Sequence, residues 1–70
     1  MGNNIMNIGK SLKFALLKND KNQSELAQQL GLRDQQISRL ANAKSANGKT
    51  IEMLANAFDM SVSEFIALGE

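Results

Sequence analysis

Side-chain chemistry in this 70-residue chain is confined to eight cations, seven carboxylates and a set of amides and hydroxyls. There is no His and no Cys. That removes the imidazole general base, the thiolate nucleophile and the Cys/His zinc site. No pair of carboxylates stands at a convincing metal-ligand spacing. Neither an enzyme nor a cofactor is expected. Three Phe are the only aromatics, too few for a platform that stacks single-stranded bases. What remains is charge and hydrogen bonding. Residues 1–49 hold all eight basic residues (Lys10, Lys13, Lys18, Lys21, Arg33, Arg39, Lys44, Lys49) against Asp20, Glu25 and Asp34, a net of +5. Residues 50–70 hold Glu52, Asp59, Glu64 and Glu70 and no base, a net of −4. A basic front and an acidic back suit a protein that turns one face to a polyanion. A chance split of fifteen charges is the bland account of the same numbers.

The elements that would position these groups are helical throughout. Ile5, Ile8, Leu12, Ala15 and Leu16 recur at the spacing of one helix face, behind Asn7 as N-cap. Asn19 to Asn22 breaks that helix with turn-forming residues. Asn22-Gln23-Ser24-Glu25 is a capping-box signature, opening a helix that buries Leu26, Ala27 and Leu30 and stops at Gly31. A third helix is expected from Asp34 to about Asn42, with Ile37 and Leu40 inward. After a small, polar loop comes a fourth, from about Lys49 to Phe58. Ser61-Val62-Ser63-Glu64 is a second capping box, opening a short helix that buries Phe65 and ends at Gly69. No segment alternates with period two, so no strand is expected. A chain this short buries only about 60% of the surface its unfolded form exposes, so the core will be small. No apolar run reaches the length of a membrane span, and nothing resembles a signal peptide. The expectation is a cytoplasmic protein with an N-terminal arm at 1–7 and one domain at 8–70.

Two helices joined by a tight Gly-containing turn are the core of a helix-turn-helix. Asn22-Gln23-Ser24-Glu25-Leu26-Ala27-Gln28-Gln29-Leu30-Gly31, followed by Gln35-Gln36-Ile37-Ser38-Arg39-Leu40-Ala41-Asn42-Ala43-Lys44, closely resembles the Cro/repressor-type (XRE-like) helix-turn-helix family of phages and bacteria. Ile51 to Ile66 looks like the family's fourth and fifth helices. The resemblance covers about residues 8–68. It implies an all-α, five-helix, lambda-repressor-like domain with the helix-turn-helix at its second and third helices. It also implies a regulator that binds double-stranded DNA sequence-specifically. A Cro-like repressor is the reading adopted, acting on a pseudo-palindromic operator as a weak dimer formed mainly on DNA, without membrane or small-molecule partners. An antitoxin-like protein-interaction module on the same scaffold is the alternative.

Carried over by position, the resemblance assigns base contacts to Arg33, Asp34, Gln35, Gln36 and Arg39 on the third helix. The chemistry fits, since Gln can pair with adenine, Arg with guanine, and a carboxylate can accept from cytosine. Asp34 is equally a first-turn residue favoured by the helix dipole. Phosphate contacts fall to Asn22 and Gln23 at the start of the second helix, and to Asn42, Lys44, Asn47 and Lys49 at and after the end of the third. Lys10, Lys13 and Lys18 read as plain helix-surface charges.

The chain departs from the family at several points. Asp20 and Lys21 stand where the family often carries Gly and an apolar residue. Arg33 replaces the usual Ser or Thr cap, which leaves the third helix expected to fray at its start. Leu16 and Ala41 match the family's frequent Arg–Glu ion pair and are expected to pack together without charge. Phe14 points outward on a helical wheel, either as a partner surface or folded over the arm or the C-terminus.

Overall fold

The computed structural model describes residues 7–70. Ile5 and the rest of the expected arm before Asn7 lie outside them. The described residues form five helices: α1 (Ile8–Lys18), α2 (Gln23–Leu30), α3 (Asp34–Ala41), α4 (Gly48–Ala57) and α5 (Val62–Ala67). Among the described residues there is no strand, and no helix is long and apolar enough to cross a membrane.

Helices of six to eleven residues are marginal in isolation, so their ends and their packing must hold them. Four N-termini are capped by side chains that accept from the third helical N–H: Asn7 from Lys10, Asn22 from Glu25, Asn47 from Thr50 and Ser61 from Glu64. At Asn22 and Ser61 the Glu three residues on accepts the cap residue's own N–H, which completes two capping boxes. The backbone N–H and hydroxyl of Ser61 favour the ionised Glu64. With Lys18 nearby, they hold its pKa below the ordinary carboxylate value.

Three C-termini close in the same way. Gly31, Asp20 and Asp59 all have positive φ, at 70°, 56° and 58°. In each case the next residue's N–H reaches back to the carbonyl five residues before it: Leu32 to Ala27, Lys21 to Leu16 and Met60 to Ala55. Only Gly31 adopts this left-handed turn without a steric cost.

The core is one cluster drawn from every helix. Ile8, Leu12, Leu26, Ile37, Leu54 and Phe65 are fully buried. Phe58 stacks on Phe65 with ring centroids 6.4 Å apart. Leu16 and Ala41 are both buried in this cluster, and the one buried polar residue described is Ser11. Even so, α1 meets Ala41 at Gly9, seven residues or about 10 Å of helix before Leu16.

Gly9 and Gly69 serve close approach. A Cβ on Gly9 would collide with the carbonyls of Ala41 and Ala43. The two backbones instead bond directly, Ile8 N–H to Lys44 O at 3.1 Å and Gly9 N–H to Ala43 O at 2.8 Å. Gly69 was expected only to end α5. It is buried, and a Cβ there would strike the Asn7 carbonyl and the Ser11 hydroxyl. That hydroxyl donates to Ile66 O at 3.3 Å, so α5 lies against the first turns of α1.

Two stability predictions follow from this geometry. Gly9→Ala should cost about 1–3 kcal/mol, because neither colliding group is a side chain that can swing aside. Asp20→Gly should gain about 0.5 kcal/mol, since relief of the left-handed strain exceeds the added entropy of the unfolded chain. Urea titrations of both variants against wild type measure both, and loss of stability in Asp20→Gly would contradict the second.

Candidate nucleic-acid interface

The first turn of α2 and the whole of α3 form the candidate surface. Leu32 is half-buried and anchors the turn between them, while Leu26 and Ala27 fix α2 on the core. A polar tie adds to this, with Ser24 Oγ donating to Asp34 Oδ2 at 2.9 Å. Asp34 is therefore both a first-turn carboxylate at the positive end of α3 and a strut between the two helices. A second strut runs from α2 to α4. Lys21 Nζ donates to Gln29 Oε1 at 2.6 Å, Gln29 Nε2 donates to Ala57 O at 3.2 Å, and Lys21 Nζ lies 6.0 Å from the Phe58 ring centroid. Lys21, which stands where the family often carries an apolar residue, holds the turn through polar and cation–π contacts instead.

Arg33 cannot cap α3, because a guanidinium has no acceptor. The end is held from the other side, as Gln36 Oε1 accepts the Arg33 N–H at 2.9 Å. The start of α3 thus carries half a capping box and is helical from Asp34, where fraying was expected.

Ile37 is fully buried, which fixes the rotation of α3. At 100° per residue, Gln35 and Arg39 then stand almost opposite Ile37, with Asn42 beside them one further turn along. All three are exposed, and among the described residues neither the Gln35 nor the Arg39 side chain has a hydrogen-bond partner. Asp34 lies on the flank toward α2. Gln36 lies on the flank toward α4, where it lines an open groove of about 260 Å³ with Leu32, Arg39, Leu40, Thr50 and Met53. Adjacency in sequence groups these residues together, and the helix divides them among three sides. Ser38, which adjacency did not single out, is exposed three residues after Gln35 and therefore on the same outward side.

Gln23 is half-buried at the first position of α2, and Asn22 uses its side-chain oxygen on Glu25 N–H at 2.8 Å. Asn42 folds its amide back onto Ser38 O at 2.9 Å, and Asn47 spends its oxygen on Thr50 N–H at 2.8 Å. Lys44 and Lys49 are exposed. Lys10 and Lys13, read from sequence as ordinary surface charges, line a pocket with Asn42 and Lys44. Phe14 is 45% exposed and Leu17 is 77% exposed, with Lys10 Nζ 5.9 Å from the Phe14 ring centroid.

The contact made by Gln36 generates a prediction. Gln36→Ala should destabilise the fold by about 0.5–1 kcal/mol, as loss of a helix-end bond does. Amide exchange at Arg33 should accelerate. Unchanged exchange there would show that the side chain does not cap.

Comparison with known proteins bears on the whole of this surface. The model of a family described as helix-turn-helix matches residues 12–65. No curated protein matches the chain. The family is one of DNA-binding regulators and not of enzymes, and its match runs from α1 into α5. The chain belongs to the Cro/XRE-type helix-turn-helix family of DNA-binding transcription regulators.

Proposed function

We propose that the protein is a sequence-specific, Cro-like repressor of phage or prophage type, which occludes a promoter by binding a pseudo-palindromic operator. The observation that carries this reading is the outward side of α3. Gln35 and Arg39 stand opposite the buried Ile37, and among the described residues their side chains have no hydrogen-bond partner. Solvated amides and guanidinia at that spacing suit adenine and guanine edges in a major groove. Ser38 lies beside them at a base or phosphate. Asp34 and Gln36, already bonded to Ser24 and Arg33, shape the edges of the reading surface. Arg33 reaches the groove from the turn.

Phosphates flank this helix on both sides. Gln23, with Asn22, takes one at the start of α2, where free N–H groups and the dipole favour an anion. Asn42, Lys44, Asn47 and Lys49 take others around the exit of α3. Two copies act together with half-sites about one helical turn apart. They associate weakly in solution, so sedimentation of the free protein at micromolar concentration should give mainly monomer.

The test begins with selection of bound duplexes from a random pool. Gln35→Ala should then lose about 1–3 kcal/mol of discrimination at one base pair per half-site, while its binding to random duplex changes little. Gln23→Ala should weaken selected and random duplex by similar factors, because phosphates carry no sequence information. An unchanged specificity ratio in Gln35→Ala removes that residue as a reader. If the wild-type pool converges on no sequence, sequence-specific repression is wrong and the interaction-module reading takes its place.

A further inference from the structure

The contact between α1 and the exit of α3 builds a pocket of about 330 Å³, open to solvent and lined by Asn7, Lys10, Lys13, Ala41, Asn42 and Lys44. Three of the six are cations, two are amides, and none is a carboxylate. The convergence comes from backbone contacts with no slack. Gly9 seats the first turn of α1 on Ala41 and Ala43, and the Ile8 N–H fixes the Lys44 carbonyl. Lys10 and Lys13 are three residues apart and so share a helix face. Their ammonium groups repel one another and that of Lys44. Asn7 commits its oxygen to the Lys10 N–H, which leaves its amide nitrogen as a donor.

The geometry points to a second grip on the sugar-phosphate backbone of duplex DNA, made by Lys10, Lys13 and Asn7 of α1 together with Lys44 and Asn42. This rests on the assignment of α3 as the reading helix. An eight-residue helix is about 12 Å long, close to the width of the major groove. With its first turns at the base edges, its C-terminal end stands at the groove rim, where the phosphates run. Carbonyls at a helix C-terminus would repel an anion there. Just past α3, the Ala43 and Lys44 carbonyls are covered by N–H groups from the start of α1, and three cations line the pocket at this joint. Lys10 exchanges its contact with Phe14 for a phosphate through its flexible stem.

The experiment compares two substitutions that remove the same charge from the same helix. Lys13→Gln changes the pocket. Lys18→Gln changes an exposed lysine outside it, on the side of Glu64. Binding of a mixed-sequence 30-base-pair duplex is measured at several salt concentrations, with thermal melts as a check that each variant folds. Lys13→Gln should lower the slope of log affinity against log salt by about 0.9 for each phosphate that it leaves unneutralised, and Lys10→Gln/Lys13→Gln by about twice that. Lys18→Gln should keep the wild-type slope. Equal slopes for Lys13→Gln and Lys18→Gln, with normal wild-type binding, overturn the grip and leave the reading helix standing. Failure of the wild type to bind any duplex overturns both.

Discussion

The joint between the start of α1 and the exit of α3 governs the rest of the molecule. A helix start has N–H groups without partners, and the chain leaving a helix end has carbonyls without partners. Here the two deficits meet. Ile8 and Gly9 donate to Lys44 and Ala43, and partial charges of opposite sign are brought together. Only glycine at position 9 allows the backbones this close. From that point α1 carries α5 through Ser11 and Gly69, and α3 carries the turn back to α2 through Ile37. The loop after α3 is held at its beginning by the joint and at its end by the Asn47 cap. A helix that is to dock in a groove as proposed, within a hydrogen bond's tolerance, needs to be fixed at both ends. The joint supplies one of those fixings and Ser24–Asp34 the other.

Stability in so small a domain depends on its helix ends as much as on its core. Five short helices present many backbone groups for few buried side chains, so each cap matters more than it would in a larger protein. Every N-terminus is closed by a side chain, although α3 uses Gln36 in reverse. Three C-termini use the same left-handed turn, two of them with Asp where Gly would sit more easily. The short carboxylate side chain tolerates that conformation better than most residues do.

Much of this was legible in the residues. The capping boxes at Asn22 and Ser61, the Gly31 stop and the buried Leu26, Ile37 and Phe65 all follow from local chemistry and periodicity. Helix bounds shifted by a residue, as at Gly48. What was not legible depended on contacts between distant segments. Gly9 looks like an unhelpful residue in a helix until Ala41 is placed against it. Lys10 and Lys13 look like solvated charges until Lys44 is placed beside them. Ser38 could have been found, since a helix with Ile37 inward must turn Ser38 toward the side that bears Gln35. For Arg33 the expectation considered only what that side chain could accept, and the bond came from its backbone.

The outward residues of α3 have a property that the inward and flanking ones lack. Ile37 and Ala41 are committed to the core, Asp34 and Gln36 to internal bonds, whereas the Gln35 and Arg39 side chains are exposed and make no hydrogen bond among the described residues. Mutation at those two positions is thereby decoupled from folding. On the proposed reading of α3, a lineage carrying this scaffold can acquire new targets by exchanging a few exposed side chains while foldability is preserved. Divergence among its descendants should therefore concentrate there, with Gly9 and Ile37 the slowest positions to change.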